Sequence, residues 1–134
     1  MGILADLTGY GIQPGQEGSF EKTTEPRESA AALGSGGLEV FSTPSLVALF
    51  EITAKRAVDP LLPAGTSTVG IEIQVKHLKA TRIGRRVWCT ARITAVEGRK
   101  IVFAGEMWDE QGRIGEGTHV RFAVEDEAFL NRLG

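Results

Sequence analysis

The sequence is poor in the residues that disulfides and metal sites require. Its 134 residues contain one cysteine, Cys89, and two histidines. One thiol cannot form an internal disulfide, and a structural zinc site usually needs several cysteine or histidine ligands at short spacing. Cys89 occupies an apolar position of a predicted strand, where a thiol is usually an unreactive core group. We therefore expect no metal site and a reducing, cytoplasmic compartment.

Long hydrophobic runs and an excess of one charge are also absent. No apolar stretch approaches the roughly 20 residues of a membrane span, and the N-terminus lacks the basic and apolar regions of a signal peptide. The formal net charge is −2, without the basic excess that is typical of proteins that bind nucleic-acid phosphates. We expect neither a membrane nor a nucleic acid as partner.

Hydrophobic periodicity predicts one long helix followed by several strands. Thr43 is a good N-cap residue, Pro44 suits the first helical position, and Asp59 before Pro60 ends the helix. Strands are predicted at residues 17–24, 69–77, 85–96, 99–109 and 113–124. Because helices and strands do not alternate along the chain, this order favours an α+β fold over a doubly wound parallel sheet. We expect an antiparallel sheet wrapped around one long central helix.

The first forty residues are less regular. Residues 1–16 are rich in glycine and weakly patterned, so they are predicted to form a flexible N-terminal arm. Residues 17–134 are predicted to form a single domain. Within it, residues 25–40 form a long irregular stretch, which is typical of a lid or a binding loop.

Glu51 is a carboxylate on an apolar stripe of the predicted helix. Residues 47, 51, 54 and 58 fall on this stripe, and Glu51 is its only polar member. Burial of a lone carboxylate is costly, and a site can use such burial to tune a general base. The alternative is an exposed pair with Lys55 one turn later.

His77 ends the apolar alternation of the strand that begins near Val69. A histidine at that place can act as a general acid or base, or can orient a carboxylate or a water molecule. The alternative is a hydrogen-bonded histidine at the edge of the core. Lys76 and Lys79 beside it are either solvated charges or contacts for phosphate groups.

Thr43 has a structural explanation first, because a threonine before Pro44 is a typical helix cap. The N-terminus of a helix also stabilises an oxyanion through its backbone N–H groups and its dipole. A hydroxyl at that end is therefore suited to acyl chemistry. Ser42 and Ser45 are alternatives for the same role.

His119 and Arg121 share one face of the last strand. Alternation from Ile114 through Val120 and Phe122 puts the apolar residues on the opposite face. This pattern favours a solvated or interface position for His119 and Arg121.

Four segments together resemble the fluoroacetyl-CoA thioesterase-like branch of the hotdog superfamily. They are FSTPSLVALFE at 41–51, VKH at 75–77, AVEGRK at 95–100 and GEGTHVRF at 115–122. The resemblance implies a hotdog fold, a catalytic set of Thr43, Glu51 and His77, and a homodimer, or a tetramer, whose sheets join edge to edge. It further implies CoA as part of the substrate, with no separate cofactor. The positions implied to lie near the substrate are Ser42, Gly70, Gly117, His119 and Arg121.

The expected function is hydrolysis of a small or medium acyl-CoA thioester. The fluoroacetyl-CoA enzyme closes its pocket with aromatic residues before the helix, whereas this chain has AAALGSGGLEV there, at residues 30–40. We therefore do not name fluoroacetyl-CoA as the substrate. The alternatives are a non-catalytic binder of acyl-CoA or another small ligand, and an enoyl-CoA hydratase or dehydratase.

Overall fold

A computed structural model describes residues 6–134, which form five strands and three α-helices. The strands are β1 (Glu17–Thr23), β2 (Thr66–His77), β3 (Arg86–Glu97), β4 (Lys100–Asp109) and β5 (Gly112–Glu125). The helices are α1 (Ala30–Leu33), α2 (Thr43–Val58) and α3 (Asp126–Asn131). Short 3₁₀ helices lie at Leu7–Tyr10, Pro26–Glu28 and Asp59–Leu61.

The strands form one antiparallel sheet in the order β1-β3-β4-β5-β2. The α+β prediction, with one long helix on an antiparallel sheet, is confirmed. A simple meander would pair β2 with β3, the next strand along the chain, whereas β2 pairs with β5 at the far edge. β1 and β2 are therefore the two edge strands.

Helix α2 lies on the inner face of the sheet because one of its sides is apolar. Its fully buried apolar side chains are Leu46, Leu49, Phe50, Ala54 and Val58. The buried stripe runs beside the predicted one, so Val47 and Glu51 lie half-buried at its border. Glu51 is thus at the edge of the core, where a carboxylate keeps part of its hydration.

Three residues that have no partner across the sheet change the alternation of the strands. Ile71 is the extra residue of β2, between the pairs Gly70↔Arg121 and Glu72↔Val120. Thr94 of β3 and Ile114 of β5 occupy equivalent bulges. A bulge places two residues opposite one and so reverses the inward and outward assignment beyond it.

The bulge at Ile114 overturns the assignment of faces in β5. His119 and Arg121 point inward and are only 1% and 6% exposed. Val120 and Phe122, which were expected inside, are half-exposed on the outer face. Alternation counted from Ile114 fails because Ile114 is itself the extra residue.

The predicted flexible arm differs from the structure over residues 6–16. Leu7 and Ile12 are fully buried in the main hydrophobic core. Asp6 caps the short helix Leu7–Tyr10 by accepting from the Thr8 N–H. This part of the arm is therefore packed on the domain, and residues 1–5 lie outside the described part of the chain.

Phe50→Ala should lower the free energy of unfolding by about 3–5 kcal/mol, the usual cost of emptying a phenylalanine site in a core. The Phe50 side chain is fully buried, and a Cβ added at Gly105 would lie 2.4 Å from its ring. Urea denaturation at fixed protein concentration measures the change. Lys55→Ala on the exposed side of α2 is the control and should change the value by less than about 1 kcal/mol. Equal effects of the two substitutions would contradict this packing.

Candidate active site

Ser42, not Thr43, caps helix α2. Ser42 has extended backbone angles, and its Oγ accepts a hydrogen bond from the Ser45 N–H at 3.2 Å. The Ser42 hydroxyl also donates to Ser45 Oγ at 2.8 Å. Thr43 is the first helical residue. The prediction that Thr43 caps the helix is therefore wrong by one residue, and the Thr43 hydroxyl is available for another contact.

The cap also determines which backbone donors remain at the N-terminus of α2. Pro44 has no N–H, the Ser45 N–H bonds Ser42 Oγ, and the Leu46 N–H bonds the Ser42 carbonyl at 2.9 Å. Thr43 N–H is the first-turn donor that this capping pattern does not use. It lies at the positive end of the helix dipole, where negative charge is stabilised.

Thr43 and His77 meet at one end of the helix. The distance between Thr43 Oγ1 and His77 Nδ1 is 2.8 Å, which is a normal hydrogen bond. His77 is the last residue of β2, and its partner across the sheet is Gly115. Both side chains line an open cavity of about 370 Å³ that also includes Val40 and Phe41. The sequence-predicted Thr43 and His77 are thus brought together within one chain.

The protonation of His77 suits a proton acceptor. Partial burial lowers the pKa of His77 below its ordinary value, although the nearby Lys79 backbone opposes the shift. At neutral pH the imidazole is therefore mostly uncharged. With Nδ1 accepting the Thr43 proton, the ring N–H lies on Nε2. That atom is buried and has no hydrogen-bond partner within residues 6–134.

Glu51 lies in a second cluster, further along α2. Eight residues separate it from Thr43, which corresponds to about 12 Å along the helix axis. Its Oε2 is 3.9 Å from Arg121 Nη1, and its side chain is 42% exposed. Lys55 pairs with Asp59 instead, so the alternative Glu51–Lys55 pair is not formed. Within one chain the predicted trio is therefore divided into Thr43 with His77, and Glu51 elsewhere.

Arg121 and His119 form the buried part of this second cluster. Arg121 donates from Nε to Thr68 Oγ1 at 2.8 Å and from Nη2 to the Thr68 carbonyl at 2.9 Å. Its Nη1 is 3.1 Å from His119 Nε2. His119 Nδ1 is 2.8 Å from the Glu72 carbonyl. Apart from their contact with each other, the hydrogen bonds of these two side chains within residues 6–134 are with β2, at Thr68 and Glu72.

The two glycines predicted near the substrate have different surroundings. A Cβ at Gly70 would lie 2.8 Å from Glu51 Oε2, so Gly70 leaves room for this carboxylate against β2. A Cβ at Gly117 would lie 2.1 Å from the Gln74 carbonyl oxygen, so Gly117 allows close approach of two strands. Ser42 lines the Thr43 cavity, but its hydroxyl belongs to the helix cap. Their roles toward a substrate stay predictions.

Thr68 is the site residue that sequence reasoning missed. It is 5% exposed and holds Arg121 through both its hydroxyl and its carbonyl. Alternation from Val69 to His77 assigned the even positions of β2 to the outer face. The bulge at Ile71 reverses this assignment, so Thr68 and Gly70 face inward before it. Had Arg121 been recognised as buried, its guanidinium would have required an acceptor on the neighbouring strand, and Thr68 is such an acceptor.

Other features of the described residues bear on the remaining expectations. Burial raises the pKa of the Cys89 thiol to about 11, which keeps it protonated at neutral pH. Within residues 6–134 no three histidine, cysteine, aspartate or glutamate side chains form a group that could hold a metal ion. No helix in this range has the length and apolar character needed to cross a membrane.

Comparisons with known proteins agree with this architecture. The profile of the fluoroacetyl-CoA-specific thioesterase family matches residues 25–127. The fluoroacetyl-CoA thioesterase of Streptantibioticus cattleyicolor is 38% identical over 91 residues, which are 68% of this chain and 66% of that protein. The matched region thus covers slightly less than two thirds of that relative.

Solved structures extend the likeness to nearly the whole fold. A variant of the fluoroacetyl-CoA-specific thioesterase in complex with fluoroacetate and CoA is 31% identical, with a TM-score of 0.84 over 88% of this chain and 99% of that chain. A hot-dog-like protein from Thermanaerovibrio acidaminovorans, 22% identical, has a TM-score of 0.85 over 95% of this chain and 93% of that chain. The expected hotdog fold is confirmed.

The two histidines should make stability depend on pH in a defined window. Burial is the largest cause that lowers the pKa of both His77 and His119 from 6.5. Their neutral forms therefore contribute stability that is present above about pH 6.5 and is lost as pH falls through the lowered native pKa values. Urea midpoints should therefore decrease as the pH is lowered from about 7.5 to 5, a range above that in which most carboxylates titrate.

A His77→Gln/His119→Gln double variant is the control for this window. Its urea midpoint should change less with pH than that of the wild-type protein, because it has no imidazole to protonate. A wild-type midpoint that stays constant or rises between about pH 6.5 and 5 would contradict the assignment.

Proposed function

Because this chain belongs to the fluoroacetyl-CoA-specific thioesterase family, we propose that it hydrolyses small or medium acyl-CoA thioesters to a free acid and CoA. The observation that carries the proposal is the 2.8 Å contact between Thr43 Oγ1 and His77 Nδ1 at the N-terminus of α2. A hydroxyl, a neutral imidazole and a helix N-terminus are together suited to acyl transfer. The named relative acts on fluoroacetyl-CoA, whereas residues 30–40 before α2 contain no aromatic side chain, so the proposal names the thioester class and not that acyl group.

Two routes use this geometry. In the first, Thr43 Oγ bonds to the thioester carbonyl carbon, the C–S bond breaks, and His77 passes the Thr43 proton to the departing thiolate. A water molecule then releases the acid from the threonine ester. In the second, Thr43 positions a water molecule that Glu51 and His77 activate. In both routes the Thr43 N–H faces the developing oxyanion.

Glu51 reaches such a site most simply from a second copy of the chain. Glu51 lies about two turns, or about 12 Å, further along the same helix than Thr43, so it is out of reach of the Thr43–His77 pair of its own chain. We propose a homodimer that brings Glu51 of one copy toward His77 of the other, with CoA bound near their interface. The open edge of β2, where Ile71 is 57% exposed and Leu78, directly after the strand, is 50% exposed, is available for joining the two sheets. A tetramer would be a further association of such dimers.

We propose a cytoplasmic location from the state of the single cysteine, Cys89. A single buried thiol with a raised pKa is compatible with a reducing cytoplasm. Neither a separate cofactor nor a metal has a step in either route.

Thiol release from a panel of short, long, branched and aromatic acyl-CoAs tests the activity directly. Glu51→Ala and His77→Ala should each lower kcat by about 10²–10⁴-fold, the range expected for a lost general base. Near-normal turnover in both variants would exclude the assigned site. Saturable acyl-CoA binding without thiol release would identify a binding protein. Loss of an enoyl double bond without thiol release would identify a hydratase.

Mixed dimers test whether the site is shared between copies. Coexpression of Glu51→Ala and His77→Ala chains with different tags, followed by double purification, should restore about half of the wild-type activity, because one of the two sites is then complete. The pair Thr43→Ala with Glu51→Ala should recover equally.

The matched control is the pair Thr43→Ala with His77→Ala. These residues touch within one chain, so neither site of this mixed dimer is complete and activity should stay low. Equal recovery in all three mixtures, or recovery in none of them, would exclude the shared arrangement.

A further inference from the structure

The hydrogen bonds of His119 define its charge and its tautomer. A carbonyl oxygen only accepts, so His119 Nδ1, 2.8 Å from the Glu72 carbonyl, carries a proton. A guanidinium only donates, so His119 Nε2, 3.1 Å from Arg121 Nη1, carries a lone pair. His119 is therefore a neutral imidazole with its proton on Nδ1. The rings of Phe50 and Phe103, with centroids 5.5 and 6.2 Å away, hold it in place.

This imidazole connects the β2 bulge to Arg121. The Glu72 carbonyl follows directly after the extra residue Ile71. Thr68, which precedes the bulge in β2, accepts from Arg121 Nε. His119, which is bonded to the Glu72 carbonyl beyond the bulge, accepts from Arg121 Nη1. The planar guanidinium is thus fixed from two sides, and its Nη1 is the atom nearest to Glu51, at 3.9 Å.

We infer that His119 is a positioning residue that acts through Arg121 on Glu51. It accepts from Arg121 Nη1 and so directs this nitrogen toward the Glu51 carboxylate, which Gly70 leaves room for on β2. His119 is then not a substrate contact, although its strand was expected to lie near the thioester. The inference rests on the proposed function, because it assigns Glu51 to the reaction.

Protonation of His119 removes the connection. A proton on Nε2 would face the Arg121 N–H, so the hydrogen bond would be lost and two positive groups would lie 3.1 Å apart. Burial is the largest cause that lowers the pKa of His119, and Arg121 adds to it, whereas Glu51 and the backbone bond to Glu72 oppose it. Asp59 also acts on Arg121 by charge. The connection therefore exists at neutral pH and fails on acidification.

Two amide substitutions separate the halves of this contact. His119→Gln extends an amide oxygen toward the position of Nε2 and can accept from Arg121. His119→Asn places an amide N–H near the position of Nδ1 and can donate only to the Glu72 carbonyl. On the best acyl-CoA of the panel, we expect kcat to fall by at least about tenfold in His119→Asn and by less than about threefold in His119→Gln, with KM little changed in both.

The tautomer of His119 can be measured without an activity assay. Imidazole ¹³C and ¹⁵N chemical shifts should report an Nδ1–H tautomer for His119 near neutral pH, and the second histidine, His77, is assigned by substitution. Thermal melting and circular dichroism check that both amide variants fold. The acid limb of the kcat profile should lose one ionisation in His119→Gln relative to the wild-type protein.

Three outcomes would overturn the inference. They are an Nε2–H or charged His119 at neutral pH, equal loss of kcat in the two amide variants, and a change confined to KM, which would mark a substrate contact. If the wild-type protein released no thiol from any acyl-CoA, the proposed function would fail. The tautomer measurement would then still decide whether His119 holds Arg121.

Discussion

The packing of helix α2 on the inner face of the sheet is the contact on which the rest of the molecule depends. One side of the helix is apolar and must be covered, and the sheet supplies a surface wide enough to cover it. The helix then crosses the sheet with its N-terminus beside the end of β2 and its later turns beside β1, where Ala57 meets Gly18. The positions of Thr43 and Glu51 follow from this placement, because both belong to one rigid element.

The sequence predicted the elements better than it predicted their faces. The long helix, its end at Asp59, and all five strands were recognisable because apolar periodicity and proline positions are local signals. The partner of β2 was not, because pairing between strands far apart in the chain depends on how the helix covers the sheet. The inward position of His119 and Arg121 was missed for a different reason. A bulge adds a single residue that leaves no mark in composition, and it reverses every assignment beyond it.

The candidate site shows the same division. Thr43 and His77 were paired from the resemblance alone, and the structure places them in hydrogen-bond contact. Glu51 was identified by its position on an apolar stripe, yet its neighbours could not be foreseen, because they come from β2 and β5. The guanidinium beside this carboxylate is buried, and a buried polar group needs hydrogen-bond partners for its atoms. Thr68 and His119 accept hydrogen bonds from the Arg121 guanidinium, and the Glu72 carbonyl beside the bulge accepts from His119, so the irregular part of β2 coincides with the polar part of the interior.

The assignment of capping to Ser42 has a consequence for how this fold can evolve. Two adjacent hydroxyl groups have different roles: that of Ser42 caps the helix, and that of Thr43 faces the cavity. Selection can therefore exchange the side chain at position 43 with little loss of helix stability, and descendants can explore new reactivity at that position while remaining folded. Had one residue performed both tasks, every such trial would also have weakened the scaffold. Mutational freedom at the cavity is thus a by-product of the cap lying on Ser42, one residue before Thr43.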